Sequence, residues 1–331
     1  MPAVSVIVPC YNEQATVGLL LQALYQQTFD RSAMEVIIAD GLSTDQTRAV
    51  IENFKQTHSD LMVRIVDNPK RTIPSGLNAA LRAARGEWIV RLDAHSMPYP
   101  DYIERCLTAL KQGLGDNVGG VWDIQPGGVG WIARSIAVAA AHPIAVGDTR
   151  YRLGGKAQAV DTVPFGAYRK SLIEQVGAYN EHLLTNEDYE FNVRIRRAGG
   201  IVWFDPSIRC IYYARAGWRD LLRQYWRYGF WKGKMIRRYP SSLRWRQLLP
   251  PLFVMALLAL GLLSIWFPIF RALLAGMLIV YASILVAAGL QKGIQKRDPA
   301  LIPGLPLAIS TMHLSWGCAF LWSLFGNHKQ P

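Results

Sequence analysis

Three long apolar stretches near the end of the chain constrain its fold more than any other feature. Leu248 to Phe267, Leu273 to Leu290 and Leu301 to Phe325 contain no Asp, Glu, Lys or Arg. Each is close to the roughly 20 residues an α-helix needs to cross the hydrocarbon of a bilayer. A single helix that is apolar all round can be the core of a soluble protein. Three in succession predict a membrane region over residues 248–328, with spans at about 248–267, 272–290 and 301–325.

Charge orients these spans. Arg237, Arg238, Arg244 and Arg246 precede the first, and Lys292, Lys296 and Arg297 follow the second, whereas the turn between them carries only Arg271. The excess of Lys and Arg on cytoplasmic loops then predicts a multi-pass protein of the inner (plasma) membrane. Residues 1–247 would be cytoplasmic and the end of the third span outside. The start, Met-Pro-Ala-Val, lacks a basic region and its apolar run stops at Pro9, so no signal peptide is expected. Cys10, Cys106, Cys210 and Cys318 form no CxxC pair, which suits a reducing compartment and gives no zinc framework.

The net charge is +12, and Asp205 to Arg246 holds 11 Lys/Arg against two Asp. Aromatic residues interleave with these cations. On a helix, Leu222, Tyr225, Trp226 and Phe230 share one stripe and Arg219, Arg223 and Arg227 another. Residues 216–247 are therefore read as a basic amphipathic segment in the membrane interface, with lipids as partners. A solvated basic helix or an RNA-binding surface are the competing readings. The neighbouring apolar stretches favour the membrane, and no nucleic-acid partner is expected.

Residues 1–215 are predicted to form one α/β domain. Strands at Val4–Val8, Val36–Ala39, Val63–Val66 and Trp88–Leu92 alternate with helical spacing over Thr16–Gln26, Thr44–Lys55 and Pro74–Ala84. This rhythm implies a mostly parallel sheet covered by helices on both faces, with ligands at the carboxyl ends of the strands. Polar clusters follow all four strands: Pro9 to Glu13, Asp40 to Asp45, Asp67 to Arg71, and Asp93 to His95. Thr44 and Asp45 read as helix caps. No glycine-rich phosphate loop is present, so a bound nucleotide needs its phosphates neutralised otherwise, most simply by a metal. Asp93 and His95, two apart at a strand end, could face one cation, Mn²⁺ or Mg²⁺; a hydrogen-bonding loop histidine is the plainer alternative.

Pro9-Cys-Tyr-Asn-Glu13, Asp40-Gly-Leu-Ser-Thr-Asp-Gln-Thr47, Asp93-Ala-His95 and Asn186-Glu-Asp-Tyr-Glu190, in this order, resemble the family-2 inverting glycosyltransferases of the GT-A fold. Arg91-Leu-Asp-Ala-His-Ser96 followed by three apolar runs is similar, more narrowly, to the exopolysaccharide glucosyltransferases of the succinoglycan type. The resemblance covers residues 1 to about 240, and the membrane part in outline.

The resemblance implies a nucleotide-sugar-binding, Rossmann-like domain followed by an interfacial helix and three transmembrane helices. It implies roles residue by residue. Asp40 would accept a hydrogen bond from the donor base, with Pro9, Tyr11 and Glu13 around base and ribose. Asp93 would stand in the family's DxD metal motif, whose second carboxylate is replaced here by His95. Asp188 would be the catalytic base, with Glu187 and Glu190 raising its pKa by like charge. Gln224-Tyr-Trp-Arg-Tyr228 resembles QxxRW, so Gln224, Arg227 and Tyr228 would close over the diphosphate and the acceptor. Tyr228 stands where that motif has Trp, which counts against processive synthesis. Phe165-Gly-Ala167 and Gly177 to Glu181 match segments on the acceptor side, with tight turns as the alternative. His142 and His182 are read as structural.

The expected reaction is single displacement at an anomeric carbon. A base within reach of the acceptor hydroxyl removes its proton, a divalent metal stabilises the departing diphosphate, and Arg227, or Lys70 and Arg71 at the donor, adds electrostatic support. The expected donor is UDP-glucose and the acceptor a polyprenyl-diphosphate-linked saccharide in cell-surface polysaccharide synthesis, with polysaccharide-assembly proteins as further partners. Alternatives are a polyprenyl-phosphate sugar synthase and a non-catalytic nucleotide-binding membrane scaffold. The intact set of Asp93, Asp188, Gln224 and Arg227 argues against the scaffold.

Overall fold

The structure, a computed structural model, describes residues 1–325, so the expected membrane region's last residues, 326–328, lie outside the described residues. The chain divides into two compact units, Met1–Asp123 with Arg150–Tyr212, and Ile124–Thr149 with Tyr213 onward. The segment 124–149 thus groups with the apolar helices.

The first unit opens with β1 (Val4–Cys10), α1 (Val17–Tyr25), β2 (Met34–Asp40), α2 (Thr47–Thr57), β3 (Met62–Asp67), α3 (Ile73–Ala83) and β4 (Trp88–Arg91). Every residue of β1 and β2 is buried. Alternation along the strand sends Val4, Val6 and Val8 to a core shared with Leu20, Leu24, Ile51 and Phe54. Ile7 and Ile37 point the other way, to a core shared with Leu77, Ala80, Phe191 and Ile195. Two helical layers therefore need the nearly continuous apolar strands seen in the sequence. Each such Val, Ile or Leu contributes on the order of 1.5–3 kcal/mol by leaving water.

Further along are β5 (Met97–Pro98), α4 (Tyr102–Lys111), β6 (Asn117–Gln125), α5 (Trp131–Ala140), α6 (Pro143–Val146), α7 (Arg150–Leu153), β7 (Gln158–Ala159), β8 (Ala167–Arg169), α8 (Leu172–Val176), α9 (Glu187–Arg197) and β9 (Val202–Tyr213). The sheet runs β3-β2-β1-β4-β8-β6-β9-β5, with β7 also on β9. β1 to β4 are parallel, as the alternation of strand and helix requires. Beyond β4 the sheet turns antiparallel at β8 and continues through β6, β9 and β5. The register sets Cys10 beside Asp40 and Asp40 beside Asp67, so the strand ends share one edge.

The second unit contains α5, α6, α10 (Trp218–Arg238), α11 (Trp245–Leu263), α12 (Pro268–Lys296) and α13 (Leu301–Leu324). The last three are long and apolar enough to cross a membrane. α10 is amphipathic, as expected, but its apolar face is not free for lipid. Tyr225 and Phe230 are buried, and only Leu222 of the expected stripe is exposed. The cause is Gly229 and Gly233, one turn apart. A Cβ on Gly229 would clash with the Trp316 carbonyl, and one on Gly233 with Ser323 Oγ. Small residues at this spacing let two helix backbones approach closely, and α13 fills the face.

Candidate active site

Asp93 and Asp188, read separately from the sequence, meet around a buried cation. Arg91, the last residue of β4, is 4% exposed. Its Nη2 donates to Glu187 Oε1 at 2.8 Å and to Asp93 Oδ1 at 3.1 Å, and its Nη1 lies 4.0 Å from Asp188 Oδ2. Its backbone N–H donates to the Gly166 carbonyl at 3.0 Å, which ties the strand end to the Phe165-Gly166-Ala167 segment. Among the described residues, neither Nε nor Nη1 of Arg91 has a hydrogen-bond acceptor. Glu187 and Asp188 start α9, and the Tyr189 N–H donates to Asp188 Oδ1 at 2.7 Å. The helix N-terminus further favours negative charge here.

Three carboxylates share one guanidinium, and the local electrostatics follow from that. Burial pushes the Glu187 carboxyl up to about 7, because Arg91 divides its charge among three partners and Asp188 adds repulsion. Asp188 is also raised, first by burial, against the opposing pull of Arg91. The sequence named Glu187 and Glu190 as its like-charge neighbours; Glu187 is one, and Asp93, just past the end of β4, is another. Glu190 is instead neutralised by Arg194 at 2.9 Å. Asp188 keeps a third of its side chain exposed (34%), whereas Glu187 shows 6%. A carboxylate that is raised in pKa yet accessible can serve as a base; a buried one next to it can serve as its support.

At the same strand edge, Asp40 has no exposed surface. Its carboxylate accepts from the Ser43 N–H at 3.0 Å, from Ser43 Oγ at 2.5 Å and from Arg48 Nε at 2.5 Å. Arg48 also bridges to Asp67. A carboxylate has about four acceptor sites, so these three donors leave capacity for one more. Asp45 stands one residue before Gln46, the N-cap of α2, and its Oδ1 accepts from the Thr47 N–H at 3.0 Å. Thr44 is not a cap: its N–H donates to Asn12 Oδ1 at 2.9 Å and joins the first two polar loops.

Tyr11 is 41% exposed, and the Arg71 guanidinium lies 5.6 Å from its ring centre. Glu13 pairs with His95 Nδ1 at 3.0 Å and accepts from Thr16. Burial pushes its carboxyl up, but these bonds outweigh it and hold Glu13 below its ordinary range. Pro9 is buried within β1. Lys70, largely exposed, pairs with Glu181 at 2.7 Å, and Asn78 clamps the Tyr179 backbone in both directions at 2.9 Å. His142 caps α6 through the Ile144 N–H, and the His182 N–H donates to Asn180 Oδ1. Gln224, Arg227 and Tyr228 belong to α10 of the second unit, where Gln224 Nε2 donates to the Tyr228 hydroxyl at 3.1 Å.

Among the described residues, no three His, Cys, Asp or Glu side chains group as a metal cage. Asp93 and His95 offer one carboxylate and one imidazole, and their side chains are 21% and 38% exposed. This donor set fits a cation that keeps water and substrate phosphate oxygens among its ligands. Two residues of the site were given no role from sequence. Arg91 stood two residues before Asp93 in the Arg91-to-Ser96 motif, but only as part of the resemblance. Arg48 gave no signal beyond being one more charge on a helix.

A sheet that is parallel over β1 to β4, with acidic groups gathered at the carboxyl edge of those strands, is the arrangement of the GT-A fold. The chain belongs to glycosyl transferase family 2, whose pattern it matches over residues 5–177. It is 29% identical over 322 residues to the succinoglycan biosynthesis protein ExoA of Rhizobium meliloti, covering 95% of this chain and 93% of that one. It is 25% identical over 331 residues to a dolichyl N-acetyl-α-D-glucosaminyl phosphate 3-β-D-2,3-diacetamido-2,3-dideoxy-β-D-glucuronosyltransferase of Methanococcus voltae, covering 96% of each. Among solved structures, the mannosyltransferase PcManGT of Pyrobaculum calidifontis, in complex with GDP-mannose and Mn²⁺, superposes with a TM-score of 0.64. It shares 20% identity and covers 99% of this chain and 88% of its own, which supports the fold alone.

Proposed function

We propose that this glycosyltransferase moves a hexose, with inversion, from a nucleoside diphosphate sugar to a lipid-linked saccharide at the membrane during polysaccharide synthesis. The observation that carries the proposal is the meeting of Asp93 and Asp188 around Arg91. It gathers a diphosphate-side group and a base-side group from different parts of the chain.

In this reading Asp188 accepts the proton of the acceptor hydroxyl, and its raised pKa suits it to hold that proton. Arg91 and Glu187 set its position. Asp40, with Pro9, Tyr11 and Glu13, takes the base and ribose, and Lys70 and Arg71 stand beside the donor. Asp93 and His95 would hold a divalent cation, Mn²⁺ or Mg²⁺, which supplies Lewis-acid stabilisation of the departing diphosphate. For Gln224, Arg227 and Tyr228, a role at the diphosphate rests on the motif alone.

UDP-glucose as donor is favoured by the succinoglycan-type likeness. A lipid-phosphate-linked acceptor is supported by the name of the archaeal relative; the diphosphate form rests on the succinoglycan-type likeness. The three apolar helices support residence in the plasma membrane, and the basic residues flanking them support a cytoplasmic site. The test is Asp188→Asn: transfer should fall by about 10²–10⁴ while donor binding stays nearly intact. Near-normal turnover would remove Asp188 from the base role.

A further inference from the structure

We infer that α13 does not cross the bilayer. It lies with α10 and residues 124–149 in one layer at the membrane surface, and the α11–α12 hairpin alone makes the crossing. The inference rests on the membrane reading above and revises the odd number of crossings that the apolar stretches imply.

The first ground is that α10 and α13 run side by side in the same direction. Leu221 and Tyr225 share a core with Leu305, Ala308, Ile309 and Met312. Gly229 meets the Trp316 backbone and Gly233 meets Ser323. Arg237 Nη2 donates to the Ser323 carbonyl at 2.7 Å and to that of Leu324 at 3.2 Å. At about 1.5 Å per residue, the pair stays together for roughly 24 Å. If α13 crossed upright, α10 would cross with it. α10 carries Arg219, Arg223, Arg227, Lys232, Lys234, Arg237 and Arg238, and Arg223 and Arg227 are exposed near its middle. Exposed guanidinium groups are strongly disfavoured in hydrocarbon. At the headgroup level the same groups meet phosphates and water.

The second ground is connectivity. The chain enters this layer at Ile124 and Tyr213, where the Ala214 N–H donates to the Gln125 carbonyl at 2.9 Å. The Trp131 and Trp218 rings meet nearby, 6.1 Å apart, at the start of α10. It leaves at Thr149, beside the start of α11, where Asp148 pairs with Arg246 at 2.7 Å. In between, the segment follows α13, from Ser135 against Gly304 to the Ile144 carbonyl at His313 Nε2, 3.0 Å away. Arg134 pairs with Asp298 in the α12–α13 turn at 2.7 Å. Both ends of the layer are thus a few residues of chain from the strand unit, which cannot continue on both faces of a membrane.

The third ground is where apolar surface remains uncovered. Of the most apolar stretch in each helix, 44% of α13 is buried by protein, against 11% of α11 and 17% of α12. Leu258, Leu262, Ile265, Trp266, Ile269 and Ile279 of the hairpin are all more than half exposed. This surface is what a bilayer would cover.

The test places a peptide tag before Met1, after Pro331, or between Phe267 and Pro268 in the full chain. Membrane vesicles of known orientation that retain transferase activity are treated with protease. The expected result is that the tags at Met1 and Pro331 are lost from the same face, and the hairpin tag only from the other. Loss of the Met1 and Pro331 tags from opposite faces would overturn the inference while leaving membrane residence intact. Release of the protein by alkaline carbonate would overturn both.

Discussion

Nη2 of Arg91 donates to Oε1 of Glu187 at 2.8 Å, with both side chains buried. One cation at the end of β4 therefore holds the first residue of the helix that bears Asp188. The contact spans 96 residues of sequence, and it is what turns two separate motifs into one site.

Removing that cation should be costly. Arg91→Met leaves Glu187 buried beside Asp188 with no positive partner. Loss of one member of a buried pair costs about 3–5 kcal/mol, so the variant should melt well below the parent, with transfer reduced in parallel. Arg91→Lys should recover part of the stability. Equal melting of Arg91→Met and parent would show that the guanidinium holds nothing in place.

Glu187 predicts a pH dependence of stability. Its folded pKa, about 7, lies above the ordinary 4.5. Between these values the folded protein keeps a proton that the unfolded chain releases, so its contribution is complete below 4.5 and is lost as pH rises through 7. Melting at pH 5 and pH 8 should differ in that sense, and Glu187→Gln should shrink the difference. A gap that is the same in both proteins would assign the dependence to other groups.

Asp188 predicts the pH dependence of rate. The base must be deprotonated to act, and burial raises its pKa. Activity should therefore rise with pH along an acid limb placed above the usual aspartate range. Arg91→Lys should move that limb, since Arg91 opposes the upward shift. A rate profile with no acid limb down to the ordinary aspartate range would contradict the assignment.

Much of this was legible in the sequence, and the remainder has a physical reason. β1 to β4 were readable because burial on both faces demands uninterrupted Val and Ile. Asp40, Asp93 and Asp188 were readable because short motifs carried them. β7 and β8 were not, since Gln158–Ala159 and Ala167–Arg169 are too short for a period to show. Nor was the burial of Tyr225 and Phe230: an amphipathic stripe states that a face is apolar, not whether lipid or protein covers it.

The glycines that decide this last point can be tested. Gly229→Leu or Gly233→Leu drives a side chain into the backbone or side chains of α13. Overpacking of this kind costs about 1–3 kcal/mol, so either variant should melt earlier in detergent, whereas Leu222→Ala on the exposed face should change little. Unchanged melting of both glycine variants would mean that the two helices do not pack closely.

The central claim is that the strand-end site takes a nucleoside diphosphate sugar with a metal. Its most direct test is titration of the purified full chain with UDP, GDP and dTDP, each with and without Mn²⁺ or Mg²⁺. The account predicts that one nucleotide binds tightly, requires the metal, and is lost in Asp40→Ala and weakened in Asp93→Ala. Absence of binding by all three under either metal would contradict the account at its centre.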